Sequence, residues 1–149
     1  AIYSLMFAPG DDAPCPMCTS LLDGLDGQAG HINDRMNFAV AAKASTMELN
    51  DWAQQRGWNN LHLISSGGNS YNVDYFAEDE DGNQWSMMNV FVKDAGAAVT
   101  HSWGSELFLS PPEDGLHNRH VDQLWPLWNL FDLTPEGRGA DWYPGLNYT

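Results

Sequence analysis

The spacing of apolar positions changes several times along the chain, and each change marks an element. Ile2-Tyr3-Ser4-Leu5-Met6-Phe7 is a short apolar run closed by Ala8-Pro9-Gly10, which predicts a buried strand. Cys18, Leu21, Leu22, Leu25, Ala29 and Ile32 then recur at helical spacing. Pro16 suits the first position of that helix, where its missing N–H costs nothing, so Cys15 is expected at the N-cap. Gly24, Gly27 and Gly30 interrupt the helix, and close backbone packing or a kink is the expected reason. Met36 to Ala41 reads as a second strand. Ser45 and Glu48 form a capping-box pattern opening a helix with Leu49, Trp52 and Ala53 inward, which stops at Gly57.

Leu61 to Ile64 is a candidate third strand, followed by a Gly/Ser-rich loop over 65–70 and an acidic turn over 78–83. Met87 to Val92 and Ala98 to Ser102 flank the turn Lys93-Asp94-Ala95-Gly96 and predict a hairpin. A loop is expected over 110–116. Arg119 to Phe131 has helical spacing that Pro126 should kink or split. A βαβ half followed by a ββα half predicts an α/β domain with a central mixed sheet flanked by helices.

The chain of 149 residues is long enough for one domain, expected over 1–149, with an irregular tail from about 133 packed on the core. Seven Trp, six Phe and five Tyr fill a core of that size, so bulk stability needs neither disulfide nor metal. Six Lys plus Arg against 20 Asp plus Glu give a net charge of −14, and the cations never cluster. That argues against nucleic acid and anionic membrane surfaces as partners. No apolar run reaches the ~18–20 residues of a membrane span, and no basic-then-apolar leader is present, so a cytoplasmic location is expected.

The two cysteines, Cys15 and Cys18, form a Cys-Pro-Met-Cys motif at the start of a helix after a strand, the context of a thioredoxin-like redox site. Thiol–disulfide exchange needs an exposed thiolate and a second thiol near enough to resolve the mixed disulfide. Cys15 is the expected nucleophile and Cys18 the resolver, with Pro16, Met17 and His101 as supporting residues. An N-cap thiolate meets unpaired backbone N–H groups, which lower its pKa. Against that, no Lys or Arg precedes Arg35, and Asp11, Asp12, Asp23 and Asp26 surround the motif. His31 would lie roughly 24 Å away along a continuous helix. A moderately lowered pKa and a reductant-leaning couple are therefore expected. The reaction requires a disulfide or oxidised-thiol substrate and an external thiol reductant, and no bound cofactor or metal.

Rival readings use the same residues. The Cys pair can be half of a metal site, with His117 and His120 as the other half. The usual His-x(3–5)-His spacing is missing, and such motifs are rarely split by ~100 residues. A non-catalytic binding module would leave the thiols incidental and use the aromatic set Trp125, Trp128, Trp142 and Tyr143, which otherwise reads as packing. His62 and His101 read first as satisfied structural histidines, and Glu78–Asp81 as a solvated turn without the spaced ligands of a calcium loop.

Several segments together resemble a thioredoxin-like bacterial family of unknown function, whose members are labelled predicted dithiol-disulfide oxidoreductases. They are the strand ending in Met6-Phe7, Cys15-Pro16-Met17-Cys18, Leu22-Asp23-Gly24-Leu25-Asp26-Gly27, His31 and Phe38-Ala39-Val40. Asn89 to Asp94, Thr100-His101-Ser102, Leu130 to Arg138 and Asp141-Trp142 complete the set. The resemblance spans nearly the whole chain and implies a thioredoxin fold with dithiol redox activity. Members of that family carry a further N-terminal segment, whereas this chain begins at the strand before the motif. Thioredoxins also place a proline before the strand facing the Cys pair, and Ser86-Met87-Met88-Asn89 has none. That departure argues against general protein-disulfide substrates and leaves room for a dedicated partner or a small-molecule substrate.

Overall fold

Ile2–Ser4 forms β1, the centre of a five-stranded sheet of order β3-β2-β1-β4-β5 in the computed structural model, which describes residues 1–105, 125–137, 139 and 142–148. β2 spans Ala39–Ala42, β3 Leu63–Ser65, β4 Met87–Lys93 and β5 Val99–Gly104. β1 runs parallel to β2 and antiparallel to β4, and β2 parallel to β3. Tyr3, Leu5 and Phe7 are buried in one hydrophobic cluster with Met17, Cys18, Leu21, Leu22 and Val40. A strand paired on both edges and covered on both faces has little need of polar positions, which explains the near-continuous apolar run.

The parallel half is joined by helices. α1 covers Pro16–Asp26, α2 Ala29–Arg35 and α3 Thr46–Arg56. α3 keeps the expected boundaries because both of its ends are chemically specified. Ser45 Oγ accepts from Glu48 N, Glu48 accepts from Ser45 N, and Gly57 closes the helix at φ +75°. One element is unanticipated, the single turn α4 (Tyr71–Asp74). The antiparallel half is the β4–β5 hairpin, whose register shifts between Val90 and Phe91.

The structure corrects two details. The long first helix is two helices broken at Gly27-Gln28, with Gly24 inside α1 and Gly30 inside α2. A Cβ at Gly24, Gly27 or Gly30 would meet nothing within 4 Å, so none of the three serves a close packing contact, and only Gly27 lies at the break. The last helix, α5, spans Pro126–Asp132 with Pro126 in its first turn, so of the two expected effects the described residues show no kink, and a helix that begins at the proline agrees with the split. The upstream part of the expected helix, from Arg119, lies outside the described residues, as do His117 and His120. Trp128 is fully buried, and Trp142 and Leu146 of the C-terminal segment pack against the core cluster. No helix among the described residues is long and apolar enough to cross a membrane.

Candidate functional site

The loop leaving β1 is held at several points before it reaches Cys15. Ala8 N donates to Asp11 Oδ2 at 2.8 Å, and Gly10 N donates to Glu48 Oε1 at 2.9 Å. Glu48 therefore caps α3 with one carboxylate oxygen and pins the loop with the other. Cys15 N donates to Met6 O at 3.0 Å, which fixes the start of α1 against the end of β1. Cys15 occupies the N-cap with no side-chain cap of its own, and Pro16 begins the helix. Its thiol is left facing the first turn, where backbone donors are unpaired.

Cys15 and Cys18 are both free thiols and lie 3.8 Å apart. Their environments differ sharply. Cys18 is 2% exposed and belongs to the core cluster, whereas Cys15 is half-buried at its edge. The Cys15 pKa is lowered to about 6. The hydrogen bond from the Cys18 thiol is the main cause; burial opposes it, and the Cys18 and Met17 backbone N–H groups and the Tyr143 hydroxyl add to the lowering. The Cys18 pKa is pushed up, first by that same hydrogen bond to Cys15 and then by burial. One sulfur is thus held as a thiolate near neutrality and its neighbour as a thiol, as two groups that share a site must divide their protons.

Two tyrosines complete the surroundings. Tyr143 Oη lies 3.6 Å from Cys15 Sγ, on a C-terminal segment anchored by Arg56, whose Nη1 donates to Leu146 O. Arg56 also binds both carboxylate oxygens of Asp23, and Trp58 Nε1 donates to Asp23 Oδ1 at 2.8 Å. Asp23 is therefore paired and does not act on the thiols as a bare negative charge. Asp26 is likewise occupied by the Asn60 and Leu61 N–H groups. Burial works against its charge, but these hydrogen bonds prevail and lower its pKa. Tyr3, 1% exposed, belongs to the same buried cluster as Cys18, and burial first, then the nearby Cys18, raises its pKa well above the ordinary value.

Of the expected supporting residues, Pro16 and Met17 are at the site. Pro16 opens the helix, and Met17 contributes its backbone N–H while its side chain is buried in the core. His101 is elsewhere. Residues opposite one another in register share a sheet face, and the face alternates along a strand. Tyr3 pairs with Met88 on the Cys18 side, so Ile2 and its partner Asn89 face the other way. His101 pairs with Phe91, two residues on from Asn89, and joins that opposite face. There its Nε2 donates to Asn89 Oδ1 at 2.9 Å, and its ring packs on Tyr75 and Phe91 at 5.3 and 5.2 Å. Gly104 permits this closeness, since a Cβ there would come within 3.2 Å of Asn89 Oδ1.

No group of three or more metal-ligating side chains occurs among the described residues. Asp79, in the acidic turn, spends its oxygens on Asp81 N, Asn83 and Trp85 Nε1. Sequence reasoning named Tyr143 only within an aromatic set and missed its place at Cys15, because it lies 128 positions from the sulfur it touches.

No curated protein and no solved structure matches the chain. A family model described as a bacterial protein of unknown function (DUF899) matches residues 1–148, and the chain belongs to that family.

Proposed function

We propose that the protein is a thiol–disulfide oxidoreductase of thioredoxin-like fold, cycling Cys15 and Cys18 between dithiol and disulfide. The observation that carries the reading is the asymmetry of the pair. A partly exposed sulfur with a pKa of about 6 stands 3.8 Å from a sealed, protonated one at a helix N-terminus. Attack needs a thiolate at neutral pH, and resolution needs a thiol that cannot leave the first one's reach. A disulfide bond is about 2.05 Å long, so closure draws the sulfurs together by roughly 1.8 Å. The sheet supports the finer fold assignment: a parallel β1–α–β2 unit with the motif opening its helix, beside an antiparallel β4–β5 hairpin.

The cycle balances as follows. Cys15 thiolate attacks one sulfur of a disulfide R–S–S–R′, breaking that bond; R′–S⁻ departs with the electron pair and takes a proton. Cys18 then gives up its proton and attacks Cys15 Sγ, expelling R–S⁻, which takes up a proton, and the Cys15–Cys18 disulfide forms. The substrate has gained two electrons, and an external dithiol returns them to the protein. A pKa near 6 is a moderate lowering for an N-cap thiol, which favours a reductant over a strong oxidant.

The test is dithiothreitol-driven reduction of a small disulfide by the purified chain beside its Cys15→Ser variant. Catalysed turnover lost in the variant is the expected result. A parent no faster than dithiothreitol alone would overturn the reading.

A further inference from the structure

Cys15 has close neighbours on two sides. Cys18, 2% exposed, stands 3.8 Å away on the core side, and Tyr143 Oη lies 3.6 Å from Cys15 Sγ on the C-terminal segment. Tyr143 is 50% exposed, so its ring extends from the sulfur into the solvent space through which a substrate must come. The segment that carries it is fixed before and after the tyrosine. Trp142 packs edge to face on Trp128 and Phe131, with ring centroids 5.6 and 4.9 Å apart. Pro144 is buried. Beyond it, Gly145 N donates to Tyr148 Oη at 3.0 Å, and Arg56 Nη1 donates to Leu146 O. Arg56 is itself held by Asp23 of α1, the helix that carries Cys18. The phenol is thus tied to the same framework as the thiols, and standing aside would break both packing and hydrogen bonds.

Attack requires a substrate sulfur within about 3–3.5 Å of Cys15 Sγ, with the bond to be broken in line. A slender disulfide on two flexible chains can meet that demand beside the ring. A disulfide set in a folded protein brings its backbone with it, into the space the ring fills. We propose that Tyr143 is a specificity-determining residue, its anchored ring confining Cys15 to small-molecule disulfides and excluding those of folded proteins. This role rests on the dithiol reading above and names its substrate class. In the step it screens, the Cys15–substrate bond forms, the substrate S–S bond breaks, and the departing thiolate leaves with the electron pair and takes a proton. Tyr143 exchanges no proton and no electrons.

The test is a ratio: kcat/KM for insulin over kcat/KM for 2-hydroxyethyl disulfide, both driven by dithiothreitol with its own rate subtracted. Both substrates meet the same thiolate, so a change in its pKa cancels and access remains. The parent is expected to favour the small disulfide by about a hundredfold. Tyr143→Ala, which removes the ring, should raise the ratio by about tenfold or more. Tyr143→Phe keeps the ring and loses the hydroxyl; it should lower both rates together and hold the parental ratio. Arg56→Met, which frees Leu146, should raise the ratio by a smaller factor, and no rise there would overturn the part given to the anchor. Three results would overturn the role while leaving the dithiol reading intact: a parent that reduces insulin as readily as the small disulfide, a parental ratio in Tyr143→Ala, or an equal rise in Tyr143→Phe. A parent that reduces neither substrate faster than dithiothreitol alone would overturn both.

Discussion

The two faces of β1 and β4 each carry buried polar groups, with opposite consequences. On one face Asn89, 1% exposed, is saturated: it accepts from His101 and donates to Tyr71 Oη and Tyr75 O. Tyr75, Phe91 and His101 pack edge to face or tilted around it. On the other face Cys18 is just as deep, yet its sulfur sits beside a second ionisable sulfur at the solvent edge. A polar group with all its partners fixed holds the fold together and has little left to react with. A group whose protonation state depends on its neighbour is poised to change. Residue type alone does not separate the two. His101 is the more familiar catalytic side chain, and it is on the structural side.

This contrast breaks or sharpens under substitution. The largest effect is expected from Cys15→Ser, which should lower dithiol-driven disulfide reduction by roughly a thousandfold or more, as loss of the nucleophile. His101→Ala should leave that rate unchanged, and a loss of rate there would erase the distinction between the faces. Next in size, Asn89→Ala strands partners of a buried network and should cost about 1–3 kcal/mol in urea unfolding. Its alkylation rate at Cys15 should match the parent's.

A smaller effect is expected from Tyr143→Phe. Losing that donor raises the Cys15 pKa from about 6, so iodoacetamide alkylation near pH 6 should fall about two- to tenfold and recover by pH 9. The smallest concerns stability against pH. The folded Cys15 pKa lies below that of an unfolded thiol, so its contribution is full above the unfolded value and is lost as pH falls through about 6. Cys18 is shifted the other way, so its contribution is full below the unfolded value and is lost only at higher pH. The reduced protein should therefore gain stability from pH 6 to 9, by an amount that solvent screening at the half-exposed Cys15 reduces. Urea midpoints in Cys15→Ser should lack that slope.

Much of the architecture was legible in local patterns. Pro16 after Cys15 marked the helix start, Ser45 and Glu48 marked α3, and Lys93 to Gly96 marked the hairpin. These signals work because caps, turns and periodicities are decided by interactions within a few residues. Gly27 was legible as a break but not as to its kind, since a glycine in a helical pattern serves a kink, a cap or close packing alike. The thiol pair itself was equally local, two sulfurs one helical turn apart.

The sequence by itself thus determined the mixed α/β order, the N-cap placement of Cys15 and the reach of Cys18. Only the tertiary structure decided which side of the sheet each chemical group would face. One step of register separates Tyr3, in the buried cluster with Cys18, from Ile2 and Asn89 on the opposite face, and with Asn89 goes His101. The approach of Tyr143 to Cys15 depends on the anchor from Arg56 to Leu146, and the removal of Asp23's charge from the site depends on that same guanidinium. Contacts over such separations are set by how whole elements pack, and no window of sequence contains both partners.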